Sequence, residues 1–71
     1  MLDQDALNMQ IRKFLKQVGV TSQREIEQAL QQALADGRIQ GGEQLKLRMT
    51  LEVDELSLRH TVDGGLDLGA S

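Results

Sequence analysis

The chain is 71 residues long, carries a net charge of −3, contains no cysteine, proline, tryptophan or tyrosine, and has Phe14 as its one aromatic residue. That length allows one small domain, and the lack of cysteine excludes disulfides, thiolate metal sites and a thiol nucleophile. The missing aromatics remove the stacking platform for bases, sugars and flat cofactors, and the acidic balance argues against a nucleic-acid partner.

The acidic start, Met1-Leu2-Asp3-Gln4-Asp5, lacks the basic residues and apolar core of a signal peptide. No apolar run approaches the roughly 18 residues of a membrane span. The expectation is a soluble, cytoplasmic protein without a membrane partner.

A first helix is predicted over about residues 4–18, with Asp3 or Asp5 as its cap, where both carboxylates meet the positive end of the dipole. Leu7, Ile11, Phe14, Leu15 and Val18 recur at helical spacing and form one stripe. Gly19 reads as a left-handed stop, followed by Val20 for the hydrophobic contact that accompanies such ends. A second helix is predicted over about 22–36. Thr21 or Ser22 is its N-cap, Ser22 followed by Glu25 reads as a capping box, and Ile26, Ala29, Leu30, Ala33 and Leu34 make the inward stripe. Asp36-Gly37 ends it. The short connection makes the two helices neighbours in a helix-turn-helix hairpin, and 38–42, with Gly41-Gly42, link them flexibly to the sheet.

From Leu45 the apolar residues alternate: Leu45, Leu47, Met49, Leu51 and Val53, then Leu56, Leu58, His60 and Val62. Period-2 alternation of this length predicts an antiparallel β-hairpin, with strands over about 44–53 and 56–68, one face apolar and the other polar. With Asp54-Glu55 as a two-residue turn, Val53 faces Leu56, Lys46 faces Asp63 and Arg59 lies diagonal to Glu52. Asp-Glu suits a type I′ turn poorly, and a four-residue turn leaves the faces unchanged. At Gly64-Gly65 two solutions keep the faces consistent. Either the strand runs on through Leu66 and Leu68, the preferred reading, or 63–65 form a loop leading into a short third strand.

The expected architecture is a single α+β domain, residues 1–71, with the N-terminal helix-turn-helix hairpin packed on the apolar face of the C-terminal β-hairpin. Its expected core is Leu7, Ile11, Phe14, Leu15, Val18, Ile26, Leu30, Leu34, Leu45, Leu47, Met49, Leu51, Val53, Leu56, Leu58 and Val62. A core this small makes self-association an expectation.

Candidate sites are few. His60, the one histidine, falls on the apolar face without a second histidine or cysteine beside it. It reads as an imidazole at the rim of the sheet rather than a metal ligand or an acid–base group. Arg12, Lys13, Lys16 and Arg24 hold half of the chain's Lys and Arg. With Met9 on the same outer side they form the candidate interaction surface, against the plainer reading of a solvated helix back. The segment 14–26 has the look of a DNA-binding helix-turn-helix, in which Gln23, Arg24 and Gln28 would address base edges. Against it, Ile26 falls one position late and the phosphate-attracting field is missing. No paired nucleophile and base, metal-ligand spacing or glycine-rich phosphate loop is present, so neither catalysis nor a cofactor is expected.

The run Asn8-Met9-Gln10-Ile11-Arg12-Lys13-Phe14-Leu15-Lys16, continuing through Val18-Gly19-Val20-Thr21-Ser22-Gln23-Arg24-Glu25-Ile26-Glu27, resembles a family of short bacterial proteins classed as a domain of unknown function. The likeness extends more loosely through Met49-Thr50-Leu51 and Val62-Asp63-Gly64. It implies a stand-alone small bacterial protein and carries no catalytic or binding residues. The functional expectation is a non-catalytic interaction protein with a protein partner or a second copy of itself, joined through an open sheet edge or an apolar patch. The alternative is a nucleic-acid-associated regulator using the second helix.

Overall fold

A computed structural model of the chain describes residues 1–70. It is α+β: one helix, α1 (Gln4–Ala35), then strands β1 (Gln44–Val53) and β2 (Leu58–Asp67), with the short 3₁₀ turn Asp54–Leu56 between them. The chain divides into two compact units, one spanning Met1–Asp36 and the other beginning at Gly37.

The expected helix-turn-helix hairpin is replaced by a single helix of 32 residues. It begins where predicted: Asp3 is the N-cap, and its carboxylate accepts from the Ala6 amide at 3.2 Å. Gly19 does not stop it. A glycine inside a helix costs about 1 kcal/mol relative to alanine. Terminating two helices there would leave up to four carbonyls and four amides without intrahelical partners. No proline enforces a break. Ser22, expected as a cap, is instead a half-buried interior position. Thr21 returns its hydroxyl to the Gln17 carbonyl at 2.8 Å, the back-bond of a threonine within a helix.

Phase supplies the deeper reason. At about 100° per residue, Leu7, Ile11, Phe14, Leu15, Val18, Ile26, Ala29 and Ala33 fall within an arc of about 120° on one continuous helix. The spacing Val18–Ser22–Ile26 carries the stripe across the expected break without a slip. The helix ends as predicted: Asp36 is the C-cap, its amide donating to the Gln32 carbonyl at 2.9 Å, and Gly37 follows at φ 77° in the left-handed region.

In the second unit β1 and β2 pair antiparallel, with Val53 opposite Leu58, Leu51 opposite His60, Met49 opposite Val62 and Leu45 opposite Leu66. The turn has four residues, 54–57, rather than two. Ser57 closes it at φ 50°, donating its amide to the Asp54 carbonyl at 3.1 Å. Lengthening the turn by two keeps the apolar and polar faces but moves every cross-strand partner. Leu56 therefore leaves the strand and lies 71% exposed on the turn. Lys46 now faces Gly65, and Asp63 is met by Arg48. β2 runs straight through Gly64-Gly65, the preferred of the two solutions, and the amide of Leu68 donates to the Glu43 carbonyl at 2.9 Å, adding a rung beyond the strand ends.

The expected core is the largest correction. Among the described residues Ala33, 9% exposed, is the one buried hydrophobic side chain. Leu7, Val18, Ile26, Leu30, Leu45, Leu47, Leu51 and Val53 are half-buried. Ile11, Phe14, Leu15, Leu34, Met49, Leu56, Leu58 and Val62, all assigned to the core from sequence, are exposed. Within its own unit, a single helix or a two-stranded ribbon has one apolar side and cannot wrap around it to enclose it.

Candidate interaction surface

The five residues singled out in the sequence, Met9, Arg12, Lys13, Lys16 and Arg24, all lie on α1 and are all exposed. Because the helix is continuous, Arg24 stays in phase with the others. The five share an arc of about 120° on the side opposite the apolar stripe. The same continuity removes the geometry on which the nucleic-acid reading depended. Gln23, Arg24 and Gln28 sit mid-helix, not at the start of a recognition helix, and the Gln23 amide donates to Glu27 at 2.9 Å.

His60 is exposed on β2, opposite Leu51. Among the described residues no group of three or more His, Cys, Asp or Glu side chains is placed to hold a metal ion. No described helix is long and apolar enough to cross a membrane.

The ribbon's polar face is organised by charge. Arg48 Nε donates to Asp63 Oδ1 at 2.9 Å, and Arg59 Nε lies 4.0 Å from Glu52 Oε1, each pair directly opposite across the strands. Thr50 faces Thr61 between them. Side chains of the Arg48–Asp63 pair are 73% and 68% exposed, so solvent screening holds its worth to the few tenths of a kcal/mol, at most about 1, typical of surface pairs.

Sequence reasoning missed the role of Glu43 at the base of the ribbon. Its carboxylate accepts from three successive amides, Gln40 at 2.7 Å, Gly41 at 2.9 Å and Gly42 at 3.0 Å. Three amides converging on one anion form a nest, here filled by the chain's own side chain. The Gln40 amide is the largest cause holding the Glu43 carboxyl below its ordinary range, with Gly41 and Gly42 adding to it. Gly41, at φ 100°, supplies the left-handed backbone the loop requires. The pair Gly41-Gly42 immediately before a carboxylate was the available signal. The sequence reading of 38–42 as a flexible link overlooked what the adjoining glutamate does to it.

The ribbon's long edges carry the remaining hydrogen-bonding capacity. The Leu68–Glu43 bond makes that opposite pair a hydrogen-bonded one. In an antiparallel ladder such pairs alternate. The odd-numbered residues of β1 therefore bond to β2, while Gln44, Lys46, Arg48, Thr50 and Glu52 direct their amides and carbonyls outward along an edge with no third strand among the described residues. The sheet has two strands, so β2 presents a second edge of the same kind.

No curated protein and no solved structure matches the chain. A family model does, over residues 2–69, and the match spans the helix, the nest and the ribbon. The chain belongs to a family of unknown function, DUF6494.

Proposed function

We propose that the protein is a non-catalytic interaction protein that works in the cytoplasm as a self-associated unit. The observation that carries this reading is the exposed apolar side of the ribbon. Its apolar residues Met49, Leu58 and Val62 are 45%, 42% and 54% exposed, and the two strands leave two open edges. Two-stranded ribbons are marginal in water alone, whereas three or more strands with an apolar face reach independent stability. A second copy adds strands and covers apolar surface in one step.

The exposed stripe of α1, with Ile11, Phe14 and Leu15 about half exposed, supports the same reading. Sedimentation equilibrium from low to high micromolar concentration tests it. A mass that rises from monomer to a multiple of the monomer is the expected result. A monomer throughout, with unchanged helix and strand content by circular dichroism, overturns it.

A further inference from the structure

We infer that two copies join through β1, pairing antiparallel around Thr50 to make one four-stranded sheet in the order β2-β1-β1-β2. The inference rests on the self-association proposed above and specifies its edge and register.

The outward groups of β1 belong to its even-numbered residues, so a second β1 must set even residues opposite even ones. That choice also keeps the apolar residues of both copies on one face. Few registers remain. Centring the two-fold axis on Arg48 sets two guanidiniums against each other. Centring on Met49 leaves Arg48 opposite a threonine. Centring on Thr50 places Arg48 opposite the partner's Glu52 and brings Lys46 level with Asp54 at the start of the partner's turn, each contact occurring twice.

The intrachain register then extends across all four strands. Asp63 pairs with Arg48 and Glu52 with Arg59 inside each ribbon. One row therefore reads Asp63, Arg48, the partner's Glu52 and the partner's Arg59, with charges alternating at every step. Thr61 and Thr50 with their symmetry mates form the central row. Opposite charges and paired threonines are favourable cross-strand neighbours. On the apolar face Met49 meets the partner's Leu51, and Leu47 meets the partner's Val53.

β2 offers a weaker version. Pairing β2 to β2 around Thr61 also gives Arg59 against Asp63, but its apolar side sets Leu58 against Gly64 and Val62 against His60. A glycine has no side chain to pack, and Gly64-Gly65 makes β2 the more costly strand to order. β1 also contributes Lys46, which faces Gly65 in its own ribbon and so has an opposite-charge role to fill across the interface.

Because the chain has no cysteine, single introduced cysteines report the register directly. In the inferred dimer Thr50 is its own neighbour at the two-fold axis, at the roughly 5.5 Å Cα separation of a hydrogen-bonded antiparallel pair, within the span a disulfide bridges. Under mild oxidation Thr50→Cys should form a linked dimer much faster than Lys13→Cys, which reports random collision. Thr61→Cys should link no faster than that control. An independent measurement is Lys46→Glu, which sets like charges against Asp54 twice and should weaken the dimer roughly tenfold, with recovery in Lys46→Glu/Asp54→Lys.

A dimer by sedimentation in which Thr50→Cys links no faster than Lys13→Cys overturns the β1 register and leaves self-association standing. Rapid linking of Thr61→Cys moves the interface to β2 and overturns the inference equally. A chain that stays monomeric overturns both proposals together.

Discussion

The Thr21 hydroxyl sits 2.8 Å from the Gln17 carbonyl, one helical turn back, in the stretch where the sequence most invites a break. That bond belongs to a helix interior, and it brackets Gly19. A Cβ at Gly19 would meet nothing within 4 Å. Gly19→Ala should therefore stabilise the protein by about 0.5–1 kcal/mol, through the higher helix propensity of alanine and the smaller entropy of the unfolded chain. Urea unfolding monitored by circular dichroism at matched protein concentration measures it. A loss of stability would mean that Gly19 adopts the left-handed conformation of a helix end.

Gly37 behaves in the opposite way. At φ 77° it occupies the left-handed region just past the helix. Open space around its Cβ position gives no relief, because the strain is in the backbone. Gly37→Ala should cost about 1 kcal/mol, while Gly37→Asn should cost less, since asparagine tolerates that conformation. The same unfolding curves rank the three residues.

At the turn, Ser57 is the one described non-glycine residue with positive φ. A left-handed conformation costs an ordinary residue about 1–2 kcal/mol. Ser57→Gly should recover part of that, offset by the greater freedom of glycine in the unfolded chain, for a net gain of about 0.5 kcal/mol. Sharper amide protection in Val53 and Leu58, the pair that closes the turn, is the expected hydrogen-exchange signature.

Glu43 predicts a pH dependence with a definite sign. Its folded carboxyl lies below the unfolded value because the ionised form accepts from three amides. The stabilisation is therefore fully present above the ordinary carboxylate range and is lost as pH falls through the lowered folded value. In an NMR titration the amide signals of Gln40, Gly41 and Gly42 should move together with the Glu43 carboxyl. Glu43→Gln should abolish that acid-side transition. Amide shifts that titrate unchanged in Glu43→Gln would assign the transition to another group.

The Arg48–Asp63 contact predicts a modest coupling. A double-mutant cycle of Arg48→Ala and Asp63→Ala should give about 0.2–1 kcal/mol, falling as salt rises, because both side chains are largely in solvent. A coupling well above that range at physiological salt would require a desolvated pair.

How much was legible in the chain differs between its halves. Asp3 as the cap, Asp36-Gly37 as the helix end, and the alternation from Leu45 are local signals, and local chemistry decides them. A side-chain oxygen reaches amides three residues away, a glycine relieves its own backbone, and a strand presents every second residue to one face. Of the candidate surface, Met9, Arg12, Lys13 and Lys16 were grouped by helical phase, whereas Arg24, expected at the start of a second helix, comes into phase with them only because the helix is continuous. Glu43 was missed because its partners are amides, which a side-chain pattern does not display.

Two matters could be settled only in three dimensions. The first is whether Gly19 to Glu25 breaks the helix. Stop and cap residues there compete with a stripe that keeps its phase, and cooperative propagation of the backbone ladder prevails over about 1 kcal/mol of local preference. The second is the hairpin register. Two-residue and four-residue turns present identical faces, and the choice between Lys46 and Arg48 for Asp63 depends on the closed geometry of the turn at Ser57. The sequence determined which side of each element is apolar. The folded backbone determined where each element ends and which residues meet across it, because those outcomes depend on chain closure and cooperativity, which no single residue encodes.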